Sequence, residues 1–205
     1  MAFPRTVLPA TIARPWLPGA MKDMAHSGGI QVRATKQVGW TWEEEWGLLR
    51  VTNADHEALR TTIDYMGNRG TVDTVTHPLV PGSGLDPNGI GGGTPLVQLG
   101  SQTGGSINTD GWSNSITNDV RAGDVLKFAG DNGVYRVRSD ANSNGSGEAT
   151  INIVPNLRVS PADNAAITRT GVTFRVIVMS RSRFEGSQAP SYFAGMRVTF
   201  TEMLL

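Results

Sequence analysis

The chain has 205 residues, 18 basic and 18 acidic side chains, and no cysteine. These figures exclude disulfides, thiolate metal sites and cysteine nucleophiles, and they leave no net field to draw the chain to nucleic acid or an anionic membrane. Gly (25) and Pro (11) together make about 18% of the residues against ~12% in average usage. With 39% hydrophobic residues, that predicts a folded, turn-rich protein rather than a disordered one.

No run approaches the roughly 18 apolar residues of a membrane-spanning helix, and the first residues lack the apolar core of a signal peptide. The chain is therefore expected to stay where it is made. Residues 1–19 hold Pro4, Pro9, Pro15 and Pro18, each of which biases its neighbourhood toward extended backbone. They read either as an arm anchored by Phe3, Leu8 and Trp16 or as a frayed terminus. Ile30 to Lys36 alternates apolar and polar, the period of a half-buried strand. After Gly39, Trp40 and Trp42 share one strand face, and with Trp46 they read as core or buried interface rather than as a ligand platform. Glu43, Glu44 and Glu45, between these rings, read as a solvated charge run.

Thr52 to Gly67 predicts a helix, capped by Thr52 or Asn53, with Asp55 and Glu57 in its first turn. Leu59, Ile63 and Met66 give it one apolar stripe. No Lys or Arg occurs from Gly70 to Val120, and the Gly-rich stretch 82–93 reads as a linker or long surface loop. Beyond it short strands dominate. Val125–Phe128 and Val134–Arg138 flank Gly130-Asp131-Asn132-Gly133 as a hairpin. Ala149–Val154 follows a turn at Asn144-Gly145 and ends at Pro155, and strands resume at Val172–Val178 and Met196–Thr201. The fold class is mainly β with one helix.

Candidate chemistry is sparse. His26, His56 and His77 lack metal-ligand spacing. No Gly-x-Ser-x-Gly elbow occurs, and Gly89-Ile90-Gly91-Gly92-Gly93 lacks the following helix that a phosphate cradle needs. Asp140-Ala141-Asn142-Ser143-Asn144-Gly145 matches the first half of a calcium loop, but Ile151 stands where the closing bidentate Glu belongs. An Asx-rich turn accounts for the same residues. Paired carboxylates for glycoside hydrolysis would have to come from Glu43 to Glu45, and nothing else marks a sugar cleft. No catalytic, cofactor-binding or metal site is assigned.

The order of features resembles the distal tail proteins of long-tailed, flexible-tailed bacteriophages, in particular the short two-domain kind of T5-like phages. The residues that carry the resemblance are the Pro-rich arm, Gly39-Trp40-Thr41-Trp42, and the helix ending near Tyr65-Met66-Gly67-Asn68-Arg69-Gly70. They continue with Ala122-Gly123-Asp124-Val125-Leu126-Lys127-Phe128, Val134-Tyr135-Arg136-Val137 and the late segment Tyr192 to Leu205. The resemblance implies a β-rich belt domain split into residues 1–83 and 170–205, with an inserted OB-like β-barrel over 84–169. It further implies a non-enzymatic virion structural protein, made in the host cytoplasm and placed at the tail tip or baseplate. There a ring, expected to be hexameric, joins the tail tube to hub and fibre proteins and lets DNA pass, with no specific nucleic-acid binding and no membrane insertion. No cofactor is implied. The competing expectation is a carbohydrate-binding module that stacks sugars on Trp112 and Tyr135 of the inserted domain.

Overall fold

In the computed structural model, the described residues are 11–12, 21–26, 29–34, 39–46, 58–59, 61–63, 65, 73–77, 92–180 and 196–203. Of the Pro-rich stretch 1–19 only residues 11–12 are among them; Phe3, Leu8 and Trp16, the helix cap at Thr52 or Asn53, Met66 and the stretch 82–91 lie outside. The chain divides into two compact units, one built on Thr74–Arg175 and the other on Phe3–Asp73 with Val176–Met203. The described residues are mainly β, with helical backbone at Ala58, Leu59, Thr61, Thr62, Ile63 and Tyr65. Leu59 and Ile63 are buried, as their spacing predicts, and Thr62 bonds back to the carbonyl of Ala58.

One sheet has five strands in the order β1 (Thr11–Ile12), β4 (Thr41–Trp46), β13 (Met196–Glu202), β12 (Thr173–Ser180) and β5 (Asp73–Thr76). Separately, β2 (Met21–His26) and β3 (Gly29–Ala34) form an antiparallel hairpin. The central pair is in register from Thr41 opposite Thr201 to Trp46 opposite Met196. Period-2 alternation therefore puts Trp42, Glu44 and Trp46 on the face that carries Val198 and Phe200, all of them buried. Trp42 and Phe200 stack with ring centroids 5.2 Å apart. The opposite face is polar: Arg197 lies 3.6 Å from Glu45 and 3.9 Å from Glu43.

Residues 92–172 hold a six-stranded antiparallel sheet in the order β11 (Ile167–Thr168), β8 (Val125–Phe128), β9 (Val134–Val137), β10 (Ala149–Val154), β7 (Ser106–Asp110) and β6 (Leu96–Val97). The sheet closes on itself. Its outer strands meet at a bridge between Leu96 and Ala166, where Val97 N–H donates to Ala165 O, Asn164 N–H to Val97 O and Ile167 N–H to Pro95 O. Strands β8, β9 and β10 run consecutively and β11 returns beside β8, a Greek-key arrangement. Burial alternates strictly along β7 and β10, as a sheet with one face inside requires. The interior is filled by Val97, Ile107, Leu126, Phe128, Tyr135, Ile151, Ile153 and their neighbours. The expected mainly-β chain with a small barrel is thus what the structure contains, and the hairpin around residues 130–133 is in place with Leu126 opposite Tyr135.

Candidate functional site

The loops at one end of the barrel gather around the incoming and outgoing chain. Gly93 has φ of 80°, and a Cβ there would lie 2.2 Å from Gly111 O, so only glycine lets the incoming chain pass so close to the β7 end. Thr94 N–H then donates to Gly111 O at 2.9 Å. Arg169, on the outgoing chain, donates to Gly92 O at 3.1 Å and Gly93 O at 2.8 Å. Its guanidinium lies 5.4 Å from the centre of the Trp112 ring. Asp119 accepts from Gly92 N–H at 3.0 Å, while its second carboxylate oxygen is buried with no hydrogen-bond partner among the described residues. Burial lowers the Arg169 pKa from its ordinary value and the Asp119 charge opposes that shift. One cation, one anion and one indole thus tie two chain ends together.

The opposite end is formed by residues 98–105, 129–133 and 155–166, the loops between β6 and β7, β8 and β9, and β10 and β11. Here Tyr135 Oη donates to Asp131 Oδ2 at 2.5 Å and accepts from Arg158 N–H at 3.1 Å. Asp131 also accepts from Gly133 N–H, and the Arg158 guanidinium lies 5.6 Å from the Tyr135 ring centre. Burial, reinforced by the hydrogen bond to Asp131, pushes the Tyr135 hydroxyl well above its ordinary pKa. The phenol stays protonated and acts as a brace for the hairpin tip. Leu99 and Val159 are exposed in these loops.

Several sequence expectations are settled by this geometry. The residues proposed as sugar-stacking rings are core: Trp112 is 4% exposed and Tyr135 not at all. Trp112 spends its indole N–H on Thr109 Oγ1 at 2.8 Å, so neither ring offers a face to a sugar. The glutamate run is not uniformly solvated either. Glu43 and Glu45 are half-buried on the polar face, but Glu44 is fully buried and accepts from Trp42 Nε1 at 2.9 Å. The correction follows from strand parity, because Glu44 shares its face with Trp42 and Trp46. The tryptophans are core, as expected.

The half-matched calcium loop is a turn. Asp140 Oδ1 accepts from Ala122 N–H, Asn142 Oδ1 from Asn118 N–H, and Asn144 Oδ1 from both Ser146 and Glu148 N–H, so each of these side chains gives an oxygen to backbone. Among the described residues no group of His, Asp or Glu side chains could hold a metal ion. His77 is buried, while the side chains of His26 and His56 lie outside the described residues. No helix among the described residues is long and apolar enough to cross a membrane. What the barrel supplies is a closed, internally braced body with its two ends held at one point.

Residues 90–172 match the family described as the B domain of distal tail protein pb9. The match spans the whole barrel and less than half of the chain. It supports a distal tail protein of a phage, a structural component of the virion tail, and it takes in two of the stretches that carry the sequence resemblance, 122–128 and 134–137. No curated protein matches the chain. The Arg169 tie escaped sequence reading, although an Arg immediately after the last barrel strand, with a Gly-Gly pair two residues before the first, is a signal that could have found it.

Proposed function

We propose that the chain is a non-enzymatic tail-tip protein of the T5-like two-domain type, whose copies close into a six-membered ring joining the tail tube to the hub and fibre proteins. DNA passes through the lumen of that ring without sequence-specific contact. The observation that carries this reading is the match of the barrel to the pb9 B domain. Residues 84–169 are the inserted OB-like domain in this reading, and 1–83 with 170–205 form the belt; the protein is made in the host cytoplasm and assembled into the baseplate. An insert needs neighbouring ends, and the Arg169 tie to Gly92 and Gly93 supplies them. A closed ring uses heterologous contacts, one patch against a different patch on the next copy, and zero net charge keeps repulsion between copies low.

The test is the mass and shape of the purified chain, by light scattering and negative-stain imaging. A ring of six 21.9 kDa chains is expected. A monomer that persists at high concentration, alone and with the tail-tube protein, overturns the ring. The carbohydrate-binding alternative loses its two stacking residues to the core.

A further inference from the structure

The barrel is closed by its shortest junction. β6 and β11 are two residues each and meet through one bridge and three backbone hydrogen bonds. By contrast, β7 and β10 pair over four consecutive positions. At one margin of the junction Leu99 N–H donates to Asp163 Oδ1 at 2.8 Å. At the other, Arg169 grips the carbonyls of Gly92 and Gly93 while Asp119 holds Gly92 N–H. Few hydrogen bonds and short strands mark the segment of lowest local stability in a cooperative body.

We propose that Arg169 is a clasp on this seam: it holds the incoming and outgoing chains together, and its release opens the β6–β11 junction while the rest of the barrel stays folded. The chemistry suits the task. A guanidinium presents a rigid fork to two adjacent carbonyls and a flat face to the Trp112 ring, which an ammonium does not. Asp119 balances the charge with one oxygen committed to Gly92 and the other buried beside the cation's field. Trp112 is the fixed jaw, since its indole N–H is anchored on Thr109 and Thr109 Oγ1 on Ala149 O. The clasp acts where the module joins the remainder of the chain, so it governs whether the barrel's two ends move as one body or separately.

Amide hydrogen exchange on the full-length protein tests this. In the unmodified chain, the Val97 and Ile167 amides of the seam should exchange faster than those of the β7–β10 pair. Arg169→Gln should speed exchange at Val97 and Ile167 at least tenfold further, leaving β7–β10 amides within twofold. Arg169→Lys, which keeps the charge but loses the fork, should fall between. Should Arg169→Gln fail to fold, Asp119→Asn, which retains the acceptor for Gly92 N–H and removes the balancing charge, should raise seam exchange selectively by a smaller factor. Seam and β7–β10 amides exchanging in step in every form, or no change on substitution, overturns the clasp.

Discussion

The barrel and the five-stranded sheet bury charge in different ways, and the contrast separates two building strategies. In the barrel, Asp124 and Asp131 sit beside turns and accept backbone N–H groups from Arg121 and Gly133. These two acids shape loops, and the barrel's core cluster is made of hydrophobic side chains. In the sheet, Glu44 stands on the core face of a central strand between two tryptophans, and Glu202 accepts from Trp40 N–H at 3.1 Å. There the carboxylates belong to the packed layer itself. Burying a carboxylate costs several kcal/mol unless donors meet it, so these positions tolerate little change. The barrel closes on its own hydrogen bonds, whereas the sheet's packed layer mixes aromatic rings with carboxyl groups.

The comparison is broken most forcefully from the sheet side. Trp42→Ala removes a fully buried ring stacked on Phe200 and should cost about 3–5 kcal/mol. Hydrogen exchange should show the loss in β4 and β13 while barrel amides keep their protection; equal loss in both would show one cooperative unit. Glu44→Ala leaves the Trp42 indole N–H without this acceptor and should cost about 1–3 kcal/mol by chemical denaturation.

Tyr135→Phe, the barrel's counterpart, strips Asp131 Oδ2 of its donor and should cost about 1–2 kcal/mol. It also has a pH signature. The folded Tyr135 pKa is raised above the ordinary value of 10.0, so its stabilising contribution is fully present below pH 10 and is lost as pH climbs beyond it. Melting temperatures of the parent should therefore fall above pH 10 more steeply than those of Tyr135→Phe. Smaller still, Leu99 holds a left-handed φ of 67° in an exposed loop, and Leu99→Asn should gain about 0.5 kcal/mol, read as a raised denaturation midpoint. Smallest of all, Arg197→Ala breaks two solvent-screened ion pairs on the polar sheet face and should change stability by less than about 0.5 kcal/mol.

Much of the strand pattern was legible because turn chemistry bounded it. Gly130 to Gly133 marks the hairpin, and β8 runs over the very residues that the apolar cluster Val125–Phe128 suggests. The strands that escaped notice include β1, β2 and β5, and in the barrel those with no period to read. β6 and β11 have two residues each, and β7, with the sequence SINTD, shows one aliphatic side chain in five. Glu44 escaped because three consecutive carboxylates look solvated until strand parity is applied strictly. Trp112 and Tyr135 read as candidate ligand platforms in the sequence because it gives no direction to a single ring. The structure turns them inward, where Thr109 and Asp131 take up their polar atoms.

The nearness of Gly92 to Arg169 has a consequence for rewiring the barrel. A body whose two ends lie within one side chain's reach of each other can be joined tail to head by a short linker, and new ends can then be opened in an exposed loop without stretching any strand.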